Sequence, residues 1–168
     1  ATRKGPAGIA NLNLELQKKL NPANRKKSEK LSRGFIFREG DRVMQIRNNY
    51  TLRWERPDNR NIDGSGVFNG DMGVILKIDD ETSSLEVLFD DDRLVEYDYS
   101  ILDEIEPAFA VTIHKSQGSE FPAVIIPIFA GPPVLMTRNL LYTAVTRAKS
   151  MVVLVGDEAY LHEMVYNK

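Results

Sequence analysis

Cysteine is missing from all 168 residues. That removes a disulfide framework and any thiolate metal site, and it suits a reducing cytoplasm, the compartment expected for this chain. Histidine occurs only twice, as His114 and His162, 48 positions apart and without clustered carboxylates around either, so no metal constellation can be built and the metal-ligand set is none. Apolar runs fall well short of the roughly 20 residues a membrane span requires, and nothing near the N-terminus reads as a secretory signal. A soluble chain without membrane contact is expected. There is no G-x-S-x-G elbow for a serine hydrolase. Lys115-Ser116 imitates the end of a phosphate loop, but His114 precedes it and the required glycines are absent. Gly64-x-Gly66 followed by Asn69-Gly70 fails as a dinucleotide fingerprint and fits hairpin turns.

What is present suffices for a packed domain, since 42% of the residues are hydrophobic. A net charge of -2 conceals a strong asymmetry. Residues 1–60 hold 15 Lys+Arg against 6 Asp+Glu, residues 61–107 hold 2 against 14, and residues 108–168 hold 5 against 4. A basic first third can attract a phosphate backbone, but the near-neutral total is not the footprint of a dedicated nucleic-acid binder. Residue 1 is Ala rather than Met, which suggests a piece of something longer.

Ile9, Leu12, Leu16 and Leu20 recur at helical spacing before Asn21-Pro22, predicting an amphipathic helix that the proline ends. Residues 24–33, with Arg25, Lys26, Lys27, Lys30 and Arg33, read as a solvated linker. From Phe35 the texture becomes short β-prone runs, at 41–47, 72–78, 85–89 and 94–97, which predict a small barrel. The acidic clusters at 79–82 and 90–92 sit where hairpin turns belong, without the ligand spacing of a calcium loop. Residues 52–66 read as a long exposed hairpin loop, whose Trp54 either stacks on a base or packs on its own barrel. Beyond Pro107 the pattern alternates: buried strands at 109–113, 124–128 and 151–155, a helix whose apolar face is Leu140, Leu141, Ala144, Val145 and Ala148, and a final helix from Asp157 through Tyr166. Such alternation builds an open α/β sheet, in which ligands bind beyond the carboxyl ends of strands.

One such end carries residues 114–120, seven polar or small residues in a row. Hydroxyls at Thr112, Ser116 and Ser119, cations at Lys115 and His114, and N–H groups around Gly118 could all donate to phosphate oxygens. Glu120 could not, and a carboxylate in that company suits a ribose hydroxyl. The plainer alternative has the serines satisfying loop backbone and Glu120 pairing with a lysine. The second focus is Arg147, in Leu140-Leu141-Tyr142-Thr143-Ala144-Val145-Thr146-Arg147-Ala148-Lys149. Placed in a last helical turn it would complement the helix dipole, whereas projecting toward a nucleotide it would stabilise charge on a transferring phosphoryl group.

These two segments resemble motifs V and VI of superfamily 1 DNA helicases, and in particular the RecD-like group related to the exodeoxyribonuclease V alpha subunit. His114-Lys115-Ser116-Gln117-Gly118 is shared across the superfamily, and the Leu-Leu-Tyr-Thr-Ala-Val-Thr-Arg-Ala run narrows the choice. Gly40 through Asn49 and Val67-Phe68-Asn69-Gly70-Asp71 resemble the start of that group's barrel insert, and Gly5 through Pro22 the segment after motif IV.

The resemblance implies an α/β fold: a RecA-like motor domain (residues 1–37 and 106–168) interrupted by a small SH3-like β-barrel (38–105). It implies Arg147 as the finger on the γ-phosphate, Gln117 and Gly118 beside that phosphate, and Glu120 on the ribose. Thr112, His114, Lys115 and Ser116, together with Asn48 and Asn69 of the insert, would contact single-stranded DNA. ATP with Mg2+ would be held mainly by an N-terminal motor domain of the same polypeptide, since Walker A and B are missing here. The expectation is thus the C-terminal part of a 5'-to-3' ATP-dependent helicase, monomeric and inactive alone. The alternative is a non-catalytic nucleic-acid or protein binding module built on the barrel.

Overall fold

The computed structural model describes residues 8–59 and 61–167. The chain divides into two compact units, one running from Asn13 to Ala110 and the other joining the segment up to Leu12 with Val111 onward. The expected boundary at residue 38 therefore falls inside the first unit.

The Asn13–Ala110 unit is a β-sheet body. Seven strands, β3 (Arg42–Gln45), β4 (Asn49–Glu55), β5 (Asp63–Val67), β6 (Met72–Asp79), β7 (Ser84–Phe89), β8 (Leu94–Asp98) and β9 (Ile105–Pro107), form one sheet in the order β5-β4-β8-β7-β6-β3-β9. Every pairing is antiparallel. The end strands β5 and β9 do not pair with each other, so the sheet is open rather than the closed barrel expected. Alternation explains which side chains go in: in β7 and β8 Leu85, Val87, Phe89, Val95 and Tyr97 are buried, and a bulge in β6 turns Leu76 outward between buried Ile75 and Ile78. The acidic stretches do form the β6–β7 and β7–β8 turns, where Asp79 Oδ1 accepts the N–H groups of Glu81 (3.0 Å) and Thr82 (3.3 Å).

One expectation fails here and another holds only in part, since the first helix forms where expected but buries a different face. The basic linker contains β1 (Glu29–Ser32), paired with β2 (Phe35–Arg38) across a two-residue turn. In α1 (Ile9–Leu20) the buried residues are Asn13 and Gln17, and Leu20 is 67% exposed. Asn13, Gln17 and Asn21 form a buried polar stripe at i, i+4, i+8, because their amides satisfy backbone and carboxylate groups that would otherwise be orphaned. Asp41, wholly buried, accepts from Gln17 Nε2 (2.5 Å), Asn21 Nδ2 (2.7 Å) and the Arg38 N–H (2.8 Å). Burial pushes its carboxyl above the ordinary range, and the two amides, the Arg38 N–H and the Arg38 charge oppose that rise.

Trp54 also belongs to this unit's core edge. The residues expected as an exposed loop are largely the paired arms β4 and β5, and a Cβ on Gly64 would meet Trp54 Cζ2 at 2.5 Å. The ring packs on its own sheet.

In the second unit β10 (Phe121–Ile128) and β11 (Ala148–Gly156) are parallel neighbours joined through α2 (Arg138–Val145), and α3 (Glu158–Tyr166) follows. Ile126, Ile128, Met136, Ala144 and Met164 are its buried core. Thr137 caps α2 and Asp157 caps α3. Residues 109–113, expected as a strand, are not one. The main-chain groups of Ala110 find a side chain instead of a strand partner, donating to Asn13 Oδ1 and accepting from Asn13 Nδ2, both at 2.9 Å.

Candidate functional site

The polar loop occupies residues 113–118 as consecutive turns ahead of β10. Thr112 starts it: its carbonyl accepts the Ser116 N–H (3.1 Å) and its Oγ1 accepts the Lys115 N–H (3.3 Å). Ser116 is buried, and its hydroxyl donates inward to the Ile113 carbonyl at 2.8 Å. The loop thereby fixes its own shape and leaves other groups outward. His114, Gln117 and Glu120 are exposed, while Lys115 is half-buried. Gly118 adopts φ +87°, with nothing within 4 Å of where a Cβ would stand, so that backbone needs glycine and can be approached closely.

Arg147 brings the second segment to the first. Helix α2 stops at Val145, so Arg147 and Lys149 lie beyond it rather than in its last turn. The Arg147 carbonyl accepts the Phe121 N–H at 2.8 Å, and its Nη1 donates to the Ser119 carbonyl at 3.2 Å. Nε donates to the Thr143 carbonyl (3.3 Å), and Nη2 reaches Thr146 Oγ1 at 3.5 Å. Lys149 Nζ lies 3.4 Å from Glu120 Oε2, an exposed ion pair. The loop serine and the acid–lysine pair thus match the plainer reading in this state, while Arg147 does more than complement a dipole. The carbonyls of Ser119 and Thr143 were not legible as site groups, because backbone acceptors carry no residue signature.

The remaining two residues of the set lie in the Asn13–Ala110 unit. Asn48 and Asn69 are exposed neighbours, the Asn69 N–H donating to Asn48 Oδ1 at 2.9 Å. Among the described residues no group of three or more His, Asp or Glu side chains is placed to hold a metal.

Comparison with known proteins bears on both units. A family model described as the ATP-dependent RecD-like DNA helicase SH3 domain matches residues 12–89, and one described as the UvrD-like helicase C-terminal domain matches residues 107–155. The ATP-dependent RecD2 DNA helicase of Deinococcus radiodurans is 33% identical over 155 residues, covering 92% of this chain. The chain belongs to the RecD-like superfamily 1 helicases. A second RecD-like relative, the RecBCD enzyme subunit RecD of Mycolicibacterium smegmatis, is 32% identical over 159 residues and covers 95% of the chain. The chain spans only 19% and 24% of the length of these two relatives. Among solved structures, the Pif1 helicase from Bacteroides in complex with ADP-AlF3 and ssDNA aligns over 99% of this RecD-like chain and 45% of its own, with TM-score 0.60 and 19% identity. That likeness establishes a helicase-like α/β fold.

Proposed function

We propose that this chain is the C-terminal motor portion of an ATP-dependent DNA helicase, working on nucleotide held by another domain of a longer polypeptide. The observation that carries the reading is the junction at Arg147, where one residue's carbonyl and guanidinium tie residues 119–121 to the end of α2. In this reading the loop rich in phosphate-compatible donors and the cation able to stabilise phosphoryl charge work together. Its donor set suits a triphosphate: the guanidinium, the open backbone at Gly118 and the Gln117 amide for phosphate oxygens, and Glu120 for a ribose hydroxyl. Bound ATP with Mg2+ supplies the hydrolysable phosphoanhydride, and the metal would come with the domain that holds the nucleotide.

In the structure Arg147 rests on the Ser119 and Thr143 carbonyls and Glu120 on Lys149. In this scheme each leaves that partner to serve nucleotide. Release of the Ser119 carbonyl loosens the same loop that carries Thr112, His114 and Lys115 toward a DNA strand, which couples nucleotide state to grip. Ser116 acts in this scheme as an inward brace, able to meet a phosphate only by giving up Ile113. Translocation on single-stranded DNA would run 5'-to-3', and this portion alone would turn over no ATP.

The test is DNA-stimulated ATP hydrolysis by the longer protein. Arg147→Ala should lower kcat by roughly 10³-fold or more with ATP binding largely retained. Normal hydrolysis by that variant would overturn the finger assignment. One observation favours a rival: the Asn13–Ala110 unit has a core of its own. If the chain is a non-catalytic binding module, binding should survive removal of residues 108–168 and ignore ATP.

A further inference from the structure

Two aromatic rings stand out of the β-sheet unit with no core to fill. Tyr50, on β4, is 68% exposed, and Phe68, just after β5, is 43% exposed. Their centroids lie 5.7 Å apart with planes at 71°, an edge-to-face pair. The backbone beneath them is tied by several hydrogen bonds. Gly70 N–H donates to the Gln45 carbonyl and Gln45 N–H to the Asp71 carbonyl, both at 2.9 Å, while Phe68 N–H donates to Asp71 Oδ2 at 2.8 Å. Arg93 Nη2 holds that same carboxylate oxygen at 2.6 Å. Asn48 links the two sides, accepting the Asn69 N–H and donating to Tyr50 Oη at 3.4 Å.

The geometry points to a base-stacking platform: Tyr50 and Phe68 take the flat faces of unpaired nucleobases, and the exposed amides of Asn48 and Asn69 meet base edges. It deepens the single-strand reading above and rests on it. A protein partner fits less well, because two partly exposed rings present a few hundred Å2 at most, against the roughly 800 Å2 per side of a stable interface. Phe68 and Asn69 lie in the acidic stretch 61–107, which carries 14 Asp+Glu against 2 Lys+Arg, while Asn48 and Tyr50 lie in the basic first third. Trp54, the aromatic the sequence singles out, is excluded by its packing over Gly64.

The experiment measures binding of a fluorescein-labelled oligothymidylate, and of an abasic oligonucleotide of equal length, to the full chain. Tyr50→Ala and Phe68→Ala should each weaken oligothymidylate binding roughly 5- to 150-fold. Abasic binding and the salt dependence should stay unchanged, and Tyr50→Trp should retain affinity. Because both rings are exposed, the unfolding midpoint checks that the variants are intact. No binding of oligothymidylate by the unsubstituted chain, equal weakening toward both oligonucleotides, or no effect of either substitution would each overturn the platform. Arg147→Ala hydrolysis kinetics are independent of these rings, so a failed platform beside a hydrolysis-dead finger variant leaves the motor reading standing, whereas normal hydrolysis by that variant overturns the motor reading alone.

Discussion

The two units treat apolar strands in opposite ways. In the Asn13–Ala110 unit Val43, Val67, Ile75, Leu85, Val87, Val95 and Tyr97 are all 0% exposed. In the other, Ile125 is 68% exposed, Met151 55%, Val155 47%, Leu154 42% and Val153 36%. A parallel sheet is normally covered on both faces, whereas in the parallel pair β10 and β11 exposed apolar side chains occur on both faces. Burial of each such side chain stabilises a fold by roughly 1.5–3 kcal/mol, so the β-sheet unit carries its own stability and the β10–β11 unit leaves much of that gain unrealised. The chemistry-bearing loop sits on the unit with the less complete core. Stability and function are thus divided between the two, and substitutions should separate them.

The largest expected effect is catalytic: Arg147→Ala should cost the longer protein roughly 10³-fold in ATP turnover. Its unfolding free energy should change by under about 1 kcal/mol, because that side chain's internal bonds are to partly exposed groups. A large loss of stability would break the division. Asp41→Ala should do the reverse, removing about 3 kcal/mol from the unfolding of the β-sheet unit by stranding the Gln17, Asn21 and Arg38 donors, as read by denaturant titration.

Titration of Asp41 sharpens the same point. Its folded pKa is raised by burial, so the folded state holds the proton more tightly than the unfolded chain. The resulting stability is complete below the ordinary value of 3.8 and is lost as pH rises through the folded value. Wild type should therefore gain on Asp41→Asn as pH falls toward 3.8, and an acid loss relative to that variant would contradict the burial account. The smallest effect is Lys149→Ala, which breaks an ion pair whose side chains are 60% and 61% exposed and should shift stability by less than about 1 kcal/mol.

The β-sheet unit was legible where alternation is strict, as in β7 and β8, and where acidic turn residues punctuate it. Helix α1 was legible but its buried face was not, because hydrophobic periodicity cannot reveal that Asp41 and strand-end carbonyls demand a polar stripe. Nor could composition show that Glu29–Ser32 pairs with Phe35–Arg38, since a charged edge hairpin looks like a solvated linker. Local pattern likewise does not decide whether a sheet's end strands meet, and here they do not. In the other unit β10, β11 and the Asp157 cap were readable, whereas residues 109–113 have an apolar pattern but no strand partner among the described residues. The site's residue types were visible in the sequence. That Arg147 rests on a carbonyl of the very loop it is expected to control was not.

The most direct test is the position of that guanidinium in a structure of the longer protein bound to a non-hydrolysable ATP analogue. The account predicts that Arg147 has left the Ser119 carbonyl and lies within hydrogen-bonding distance of a γ-phosphate oxygen. A guanidinium still on Ser119 with the γ-phosphate contacted only by the other domain would contradict it.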